Sequence, residues 1–145
     1  MSLIKNEEHV LKYTYDFSRD GGATSDIDLT ADGGGSLDAG MVVRGISVVA
    51  DTTLTSGGSP TLTFGNEDDR DGYLIDVFSE VTTAGDTVRE GEVAGALLWD
   101  DTNDHAIEYT VPDTGAAVPS LTIGTAALTA GKLVVYLRVY NPGAA

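Results

Sequence analysis

The sequence predicts an all-β chain, an antiparallel β-sandwich or jelly roll of about eight or nine strands. Three observations lead to this fold class. Apolar and polar residues alternate with period two in most segments, which is the spacing of a half-buried strand. Eighteen glycines and only four prolines suit many short strands joined by tight turns. No segment reads as a long amphipathic helix, and the candidate strands recur at intervals of roughly 8 to 12 residues.

The first strand is expected in "HVLKYTYDF". Its residues Leu11, Tyr13, Tyr15 and Phe17 fall on one face, which we expect to be buried, while the residues between them are mostly polar. A short strand, "SDIDL", then directs Ile27 and Leu29 inward, and "MVVRGISVVAD" forms a longer, more buried strand. Within that longer strand Gly45 is expected to mark a bulge.

The stretch "TTLTSGGSPTLTFG" predicts a hairpin. Its turn would lie at Ser56–Ser59, and the returning strand would carry Leu62 and Phe64 on one face. The next apolar segment, "YLIDVFSEV", fits either a strand or a short helix, because Leu74, Ile75 and Phe78 would share a helical face.

The last two regular segments alternate clearly. In "HAIEYTV" the apolar positions are Ile107, Tyr109 and Val111. The closing strand "KLVVYLRVY" has two distinct faces: a core face of Leu133, Val135, Leu137 and Val139, and a second face of Val134, Tyr136, Arg138 and Tyr140. The second face is too apolar for free solvent, so we expect it to close a sheet and to meet a neighbour.

Length and charge limit the possible functions. The 145 residues predict a single domain over 1–145. The net charge of −15 and the pI near 4.1 disfavour direct binding to nucleic acid or to anionic membranes, which would repel the chain. No apolar run approaches the roughly 20 residues of a membrane span, and no signal peptide is recognisable. The absence of cysteine excludes disulfides, thiolate zinc sites and a cysteine nucleophile.

No catalytic residue and no cofactor are predicted. The two histidines, His9 and His105, lie outside any recognisable motif and are interpreted as surface residues at strand ends. No Gly-x-Ser-x-Gly sequence occurs. The glycine run at Gly33–Gly35 lacks the flanking strand and helix of a phosphate-binding loop.

Two acidic clusters supply oxygen ligands of the kind that Ca²⁺ prefers. Solvated loop tips between strands are the other interpretation, because neither cluster has the ligand spacing of an EF-hand loop. The weak calcium candidates are Asp68, Asp69 and Asp71 in "NEDDRDG", and Asp100, Asp101 and Asp104 in "WDDTND".

Four of the six tyrosines lie on the two terminal strands. They either pack across neighbouring strands or contact a partner. The second interpretation predicts a partner interface made of Tyr13, Tyr15, Tyr136, Arg138 and Tyr140. A third possibility is a sugar-binding platform that also uses Trp99.

Three stretches resemble small structural proteins of tailed bacteriophages. The turn "LTAGK" before the closing strand is similar to the C-terminal part of such proteins, and "YDFSRDGGATSDIDL" is similar to their N-terminal part. The unit "GMVVRGISVVADTTLTSGGSPTLTFG" resembles their long strand, Gly/Ser turn and return. Residues 66–112 depart from the compact versions of these proteins.

The resemblance implies a non-enzymatic virion component, most like a head decoration (cement) protein on the outer surface of the capsid. Its implied partners are the major capsid protein and copies of itself, as a homotrimer. Residues 1–9 are expected to form an arm against a neighbouring subunit. The alternatives are a β-sandwich protein of the phage tail, neck or fibre base, and a carbohydrate-binding jelly-roll module.

Overall fold

The computed structural model describes residues 8–33, 37–93, 95–113 and 118–142. Strands make up 49% of the structure, with very little helix. The described strands are β1 (His9–Asp16), β2 (Ser25–Asp28), β3 (Thr30–Ala31), β4 (Val42–Ser56), β5 (Thr61–Gly65), β6 (Thr87–Arg89), β7 (Trp99–Asp100), β8 (His105–Ala106), β9 (Tyr109–Thr110), β10 (Ser120–Gly124) and β11 (Leu128–Tyr140). The helical elements are α1 (Phe17–Asp20) and a 3-10 turn at Phe78–Glu80.

A six-stranded antiparallel sheet is built around two long strands, β4 and β11. Its order is β3-β1-β11-β4-β6, and β9 also pairs with β4. Along one edge β11 pairs with β1 from His9↔Val139 to Asp16↔Lys132. Along the other edge it pairs with β4 from Leu128↔Ser56 to Tyr140↔Val42. The sheet therefore depends on β11, which joins β1 to β4.

The pairing of β11 with β4 is interrupted by bulges. Arg138 pairs with Gly45 and Val139 pairs with Val43, so Arg44 is the extra residue, and the bulge predicted at Gly45 is confirmed. A second irregularity surrounds Gly131, whose φ of +125° suits glycine and where a Cβ atom would collide with Leu54. Bulges bend and twist a strand. The sheets accordingly curl into a half-barrel.

A three-stranded sheet, in the order β2-β10-β5, covers the other side of the core. Leu62 and Phe64 of β5 lie opposite Ile123 and Leu121 of β10, and all four are buried. The hairpin predicted around Ser56–Ser59 is wrong in its pairing, because β5 does not pair with β4. The edges of β4 are occupied by β11 on one side and by β6 and β9 on the other, so the chain crosses to the second sheet.

One hydrophobic cluster joins the two sheets. The predicted core face of β11 is confirmed, since its four side chains are fully buried: Leu133, Val135, Leu137 and Val139. The all-β, antiparallel fold class is confirmed as well. The described ranges contain eleven strands and not the eight or nine expected, because four of the eleven are only two residues long. The sandwich or jelly-roll form, and the single domain over 1–145, remain predictions.

The middle of the chain is less regular than expected. The segment "YLIDVFSEV" is neither a strand nor an amphipathic helix: Leu74 forms an isolated bridge with Phe64, Asp76 turns the backbone at φ 38°, and a 3-10 turn follows. Leu74 is buried while Ile75 is 43% exposed. The alternating segment "HAIEYTV" is likewise split into β8 and β9.

The predicted N-terminal arm is described only at its end. His9 begins β1 and pairs with Val139, and the Glu8 carboxylate lies 3.7 Å from Arg44 of the same chain. Residues 1–7 lie outside the described residues, so the arm remains a prediction.

Two neighbouring residues of β11 test this arrangement. Leu137→Ala is expected to lower the free energy of unfolding by about 2–5 kcal/mol, because it leaves a cavity in the core. Tyr136→Ala, on the opposite face, should cost about 1 kcal/mol or less, since part of that side chain is already in water. Urea unfolding followed by tryptophan fluorescence measures both losses. Equal losses would contradict the assigned register.

Candidate interaction surface

The face of the six-stranded sheet that points away from the core carries the best candidate site, and we call it the outer face. Residues directly opposite in adjacent strands share a face, so the register places Lys12, Tyr136, Ser47 and Arg89 in one row across four strands. The outer face consists of Val10, Lys12, Thr14 and Asp16 of β1, Lys132, Val134, Tyr136, Arg138 and Tyr140 of β11, Val42, Arg44, Gly45, Ser47, Val49 and Asp51 of β4, and Thr87 and Arg89 of β6.

A partly buried ion pair lies near the middle of this face. Arg138 Nη2 is 2.6 Å from Glu90 Oε2, and Arg138 Nη1 donates to Ser47 Oγ at 3.3 Å. The other oxygen of Glu90 accepts a hydrogen bond of 2.8 Å from the Ile46 backbone N–H. A Cβ atom at position 45 would occupy the space of the Arg138 guanidinium, so Gly45 allows the arginine to lie across the backbone. Both members of the pair are thus held in place, Arg138 by Ser47 and Glu90 by the Ile46 N–H.

A second cluster forms at the end of the outer face where β9 joins the sheet. Arg44 Nε is 2.9 Å from Glu108 Oε2, and the Tyr140 hydroxyl donates to Glu108 Oε1 at 3.2 Å. The Arg44 guanidinium also lies 5.3 Å from the centre of the Tyr140 ring, within cation–π range. The bulge presents Arg44 to these two partners.

Helix α1 covers the opposite end of the outer face. Asp16 caps this helix by accepting a hydrogen bond of 3.0 Å from the Ser18 N–H, and Gly21 ends it with φ 76°. Arg19 then reaches back to Thr14, donating to its hydroxyl at 3.2 Å and to its carbonyl oxygen at 2.8 Å. Thr14 is consequently buried, although it lies on the outer face. The hydrogen bond from Arg19 lowers the pKa of the Asp20 carboxyl.

Three of the five predicted interface residues lie on the outer face. Tyr136, Arg138 and Tyr140 are partly exposed there. The other two, Tyr13 and Tyr15, are corrected: they are 4% and 0% exposed and belong to the core, opposite Val135 and Leu133. The Tyr15 hydroxyl donates to the Gly21 carbonyl at 2.6 Å, and burial raises the pKa of Tyr15 to about 12. Neither tyrosine is accessible to a partner.

Sequence reasoning missed the charged residues that organise the outer face. Glu90, Glu108 and Arg44 come from segments far apart in the chain, and no motif marks them. One signal was present, because a glycine inside a strand marks a place where another group approaches the backbone closely. At Gly45 that group is Arg138.

The first acidic loop, residues 66–71, is organised by buried Asn66. Its amide oxygen accepts hydrogen bonds of 3.0 Å from the N–H groups of Asp68 and Asp69. Burial raises the pKa of Asp69, and so does the neighbouring Asp71 carboxylate.

The second acidic loop, residues 100–104, connects β7 and β8. The Asp100 carboxylate accepts hydrogen bonds from Asn103 and Thr102, which lower its pKa, and Asp104 accepts one of 3.3 Å from Trp99 Nε1. In the ranges that the structure describes, no group of three or more metal-binding side chains is placed to hold an ion. Neither loop therefore presents a preformed ligand set there, and calcium binding remains a prediction.

Comparisons with known proteins identify related folds. No family model and no curated protein matches the chain. One chain of the capsid asymmetric unit of cyanophage Pam1 aligns with 98% of this chain and 90% of its own length, at a TM-score of 0.68 and 14% identity. A chain of the acidic stable capsid structure of Helicobacter pylori bacteriophage KHP30 aligns with 97% of this chain and 92% of its own length, at a TM-score of 0.60 and 15% identity. At these identities the likeness shows a shared fold.

Among the described residues, no helix is long and apolar enough to cross a membrane.

The ion pair on the outer face gives a stability test. Glu90→Gln keeps an oxygen for the Ile46 N–H but removes the charge that faces Arg138, so we expect the free energy of unfolding to fall by about 1–3 kcal/mol. Glu92→Gln, in the exposed turn that follows, is the matched control and should change it by less than about 0.5 kcal/mol. Chemical denaturation measures both. A Glu90 variant as stable as the control would show that the pair adds nothing.

The Asp69–Asp71 pair gives a pH test. Because the pKa of Asp69 is higher in the folded chain than in the unfolded chain, stability is lost as pH rises from its ordinary pKa of ~3.9 through the raised folded value. Asp71→Asn removes the neighbouring charge and should raise Tm at pH 7 by about 1–2 °C. The gain should shrink as the pH falls to about 3, because Asp69 then becomes neutral and no longer repels a charge at position 71.

The matched control for this test is Asp68→Asn, which removes the same charge from the same loop. Differential scanning calorimetry at both pH values compares the two variants. An equal gain from Asp68→Asn would assign the effect to the net charge of the chain and not to the pair.

Proposed function

We propose that this chain is a non-enzymatic structural protein of a tailed-bacteriophage virion, a decoration (cement) protein that binds the outer surface of the assembled head. The observation that supports this most directly is the end-to-end likeness to chains from two phage capsid structures. The alignment with the first covers 98% of this chain and 90% of that chain, and the alignment with the second covers 97% and 92% in the same order. The likeness is therefore to whole chains of similar length. It does not rest on one domain of a larger shell protein.

The charge of the chain supports an external position. At −15 the protein is repelled by packaged DNA, so the inner surface of a filled head is an unfavourable location. The outer surface places the excess carboxylates in water. Its partners there would be the major capsid protein and further copies of this chain, as a homotrimer.

The mechanism of such a protein is thermodynamic linkage. A protein that binds only the assembled shell stabilises that state by RT ln(1 + [L]/Kd) at each site. Since a shell offers many equivalent sites, small contributions add up to resistance against internal pressure. No bond is made or broken, and the network of Arg138, Glu90, Arg44 and Glu108 serves as a fixed surface.

Electron cryomicroscopy of the virion tests this function. We expect density for the chain on the outside of the head, repeated with the symmetry of the shell. Particles assembled without the chain should release their DNA at a lower temperature than wild-type particles, and addition of the purified chain should restore the wild-type temperature. Density restricted to the tail, neck or fibre base, in a handful of copies, would contradict the proposal and favour a tail component.

A further inference from the structure

The charges of this protein are unevenly distributed. Six of the eight lysine and arginine residues lie on the outer face or fold over it: Lys12, Arg19, Arg44, Arg89, Lys132 and Arg138. Seven carboxylates lie among them: Glu8, Asp16, Asp20, Asp32, Asp51, Glu90 and Glu108. Elsewhere in the described residues there are 15 carboxylates and one basic side chain, Arg70. The outer face is thus nearly neutral, whereas the rest of the surface carries almost all of the net charge.

Three basic side chains of the outer face are already paired in the free chain. Lys12 Nζ is 3.1 Å from Asp32, and Arg138 and Arg44 are held by Glu90 and Glu108. A partner that covers these groups meets side chains whose geometry is already set, so the entropic cost of ordering them on binding is small. Pairing also means that none of these three side chains would be left as an isolated charge in a dry interface.

The outer face also has exposed apolar side chains and a groove. Val10 is 59% exposed, and the rings of Tyr136 and Tyr140 are partly exposed on the same face. Tyrosine and arginine are the residue types enriched at protein interfaces. Near Asp16 and Lys132 the face dips into an open groove of about 300 Å³ that Phe17 also lines. The groove is wide enough to receive a side chain of a partner.

The area of the outer face is close to the area that one protein buries in a specific protein–protein interface. With strands about 4.8 Å apart and a rise of about 3.4 Å per residue, β1, β11, β4 and β6 project over roughly 600 Å². The accessible area exceeds the projection because side chains stand above the pleat. It therefore approaches the ~800 Å² that each partner buries in a standard interface.

We infer that the outer face is the surface that docks on the proteins of the assembled shell, while the acidic three-stranded side turns towards solvent. This inference rests on the proposed function and adds the docking face to it. Among the described surfaces, the outer face is the one that meets a protein partner without bringing a large excess of carboxylates into the contact.

Two exposed valines provide a matched test. Val10 lies on the outer face, and Val118, 48% exposed, lies just before β10 on the three-stranded side. Val10→Glu and Val118→Glu make the same chemical change at positions that water already reaches, so both variants should fold. Circular dichroism and Tm establish this before binding is measured. Cosedimentation of the full-length chain with particles assembled without it measures the affinity for the shell.

We expect Val10→Glu to weaken shell binding by about tenfold or more, and Val118→Glu to change it by about twofold or less. Tyr136→Glu, in the centre of the outer face, should behave as Val10→Glu does. If both outer-face variants bind like the wild type, or if Val118→Glu causes the greater loss, the docking face is wrong while the proposed function stands. Conversion of a soluble oligomer to monomers by Val10→Glu would also overturn the inference, because the face would then pair copies. Failure of the wild-type chain to bind would overturn the proposed function together with it.

Discussion

The structure depends on the antiparallel pairing of β11 with β4 and β1. This pairing fixes which residues of three long strands share a face, and a shift of one residue would move every side chain to the other side of the sheet. On one face it buries Leu133, Val135, Leu137 and Val139 against the three-stranded sheet. On the other face it aligns Lys12, Tyr136, Ser47 and Arg89. The core and the candidate interaction surface are therefore two results of one register.

Electrostatics separates the two sides of the molecule. The outer face is organised by ion pairs that connect β4, β6, β9 and β11, and glycine at position 45 makes room for the most buried of these pairs. The loops around the three-stranded sheet carry carboxylates with few basic partners. At Asp69, burial and the neighbouring Asp71 carboxylate raise the pKa. The protein thus has a high net charge although its outer face is nearly neutral.

The parts of the fold that local pattern could predict are those in which neighbouring residues decide the outcome. Alternation identified β1 and β11 and the buried side of β11, and the glycine at position 45 marked the bulge. The partner of β5 could not be predicted, because a turn at Ser56–Ser59 is equally consistent with a hairpin and with a crossover to another sheet. The assignment of Tyr13 and Tyr15 to an interface is wrong because it depends on the residue type alone, whereas alternation already places both on the face expected to be buried. The ion pair of Glu90 with Arg138 joins residues 48 positions apart, and the local sequence around either residue does not predict it.

The central place of β11 also determines the order in which the protein can fold. β1 and β4 do not pair with each other, and both wait for a strand that is synthesised after them. The pairing of His9 with Val139 closes a loop of about 130 residues, and contacts between such distant residues slow folding to the millisecond-to-second range typical of β proteins. Until β11 leaves the ribosome, the edges of β1 and β4 that it will cover stay unpaired. The nascent chain is therefore most vulnerable to aggregation in the interval just before β11 arrives.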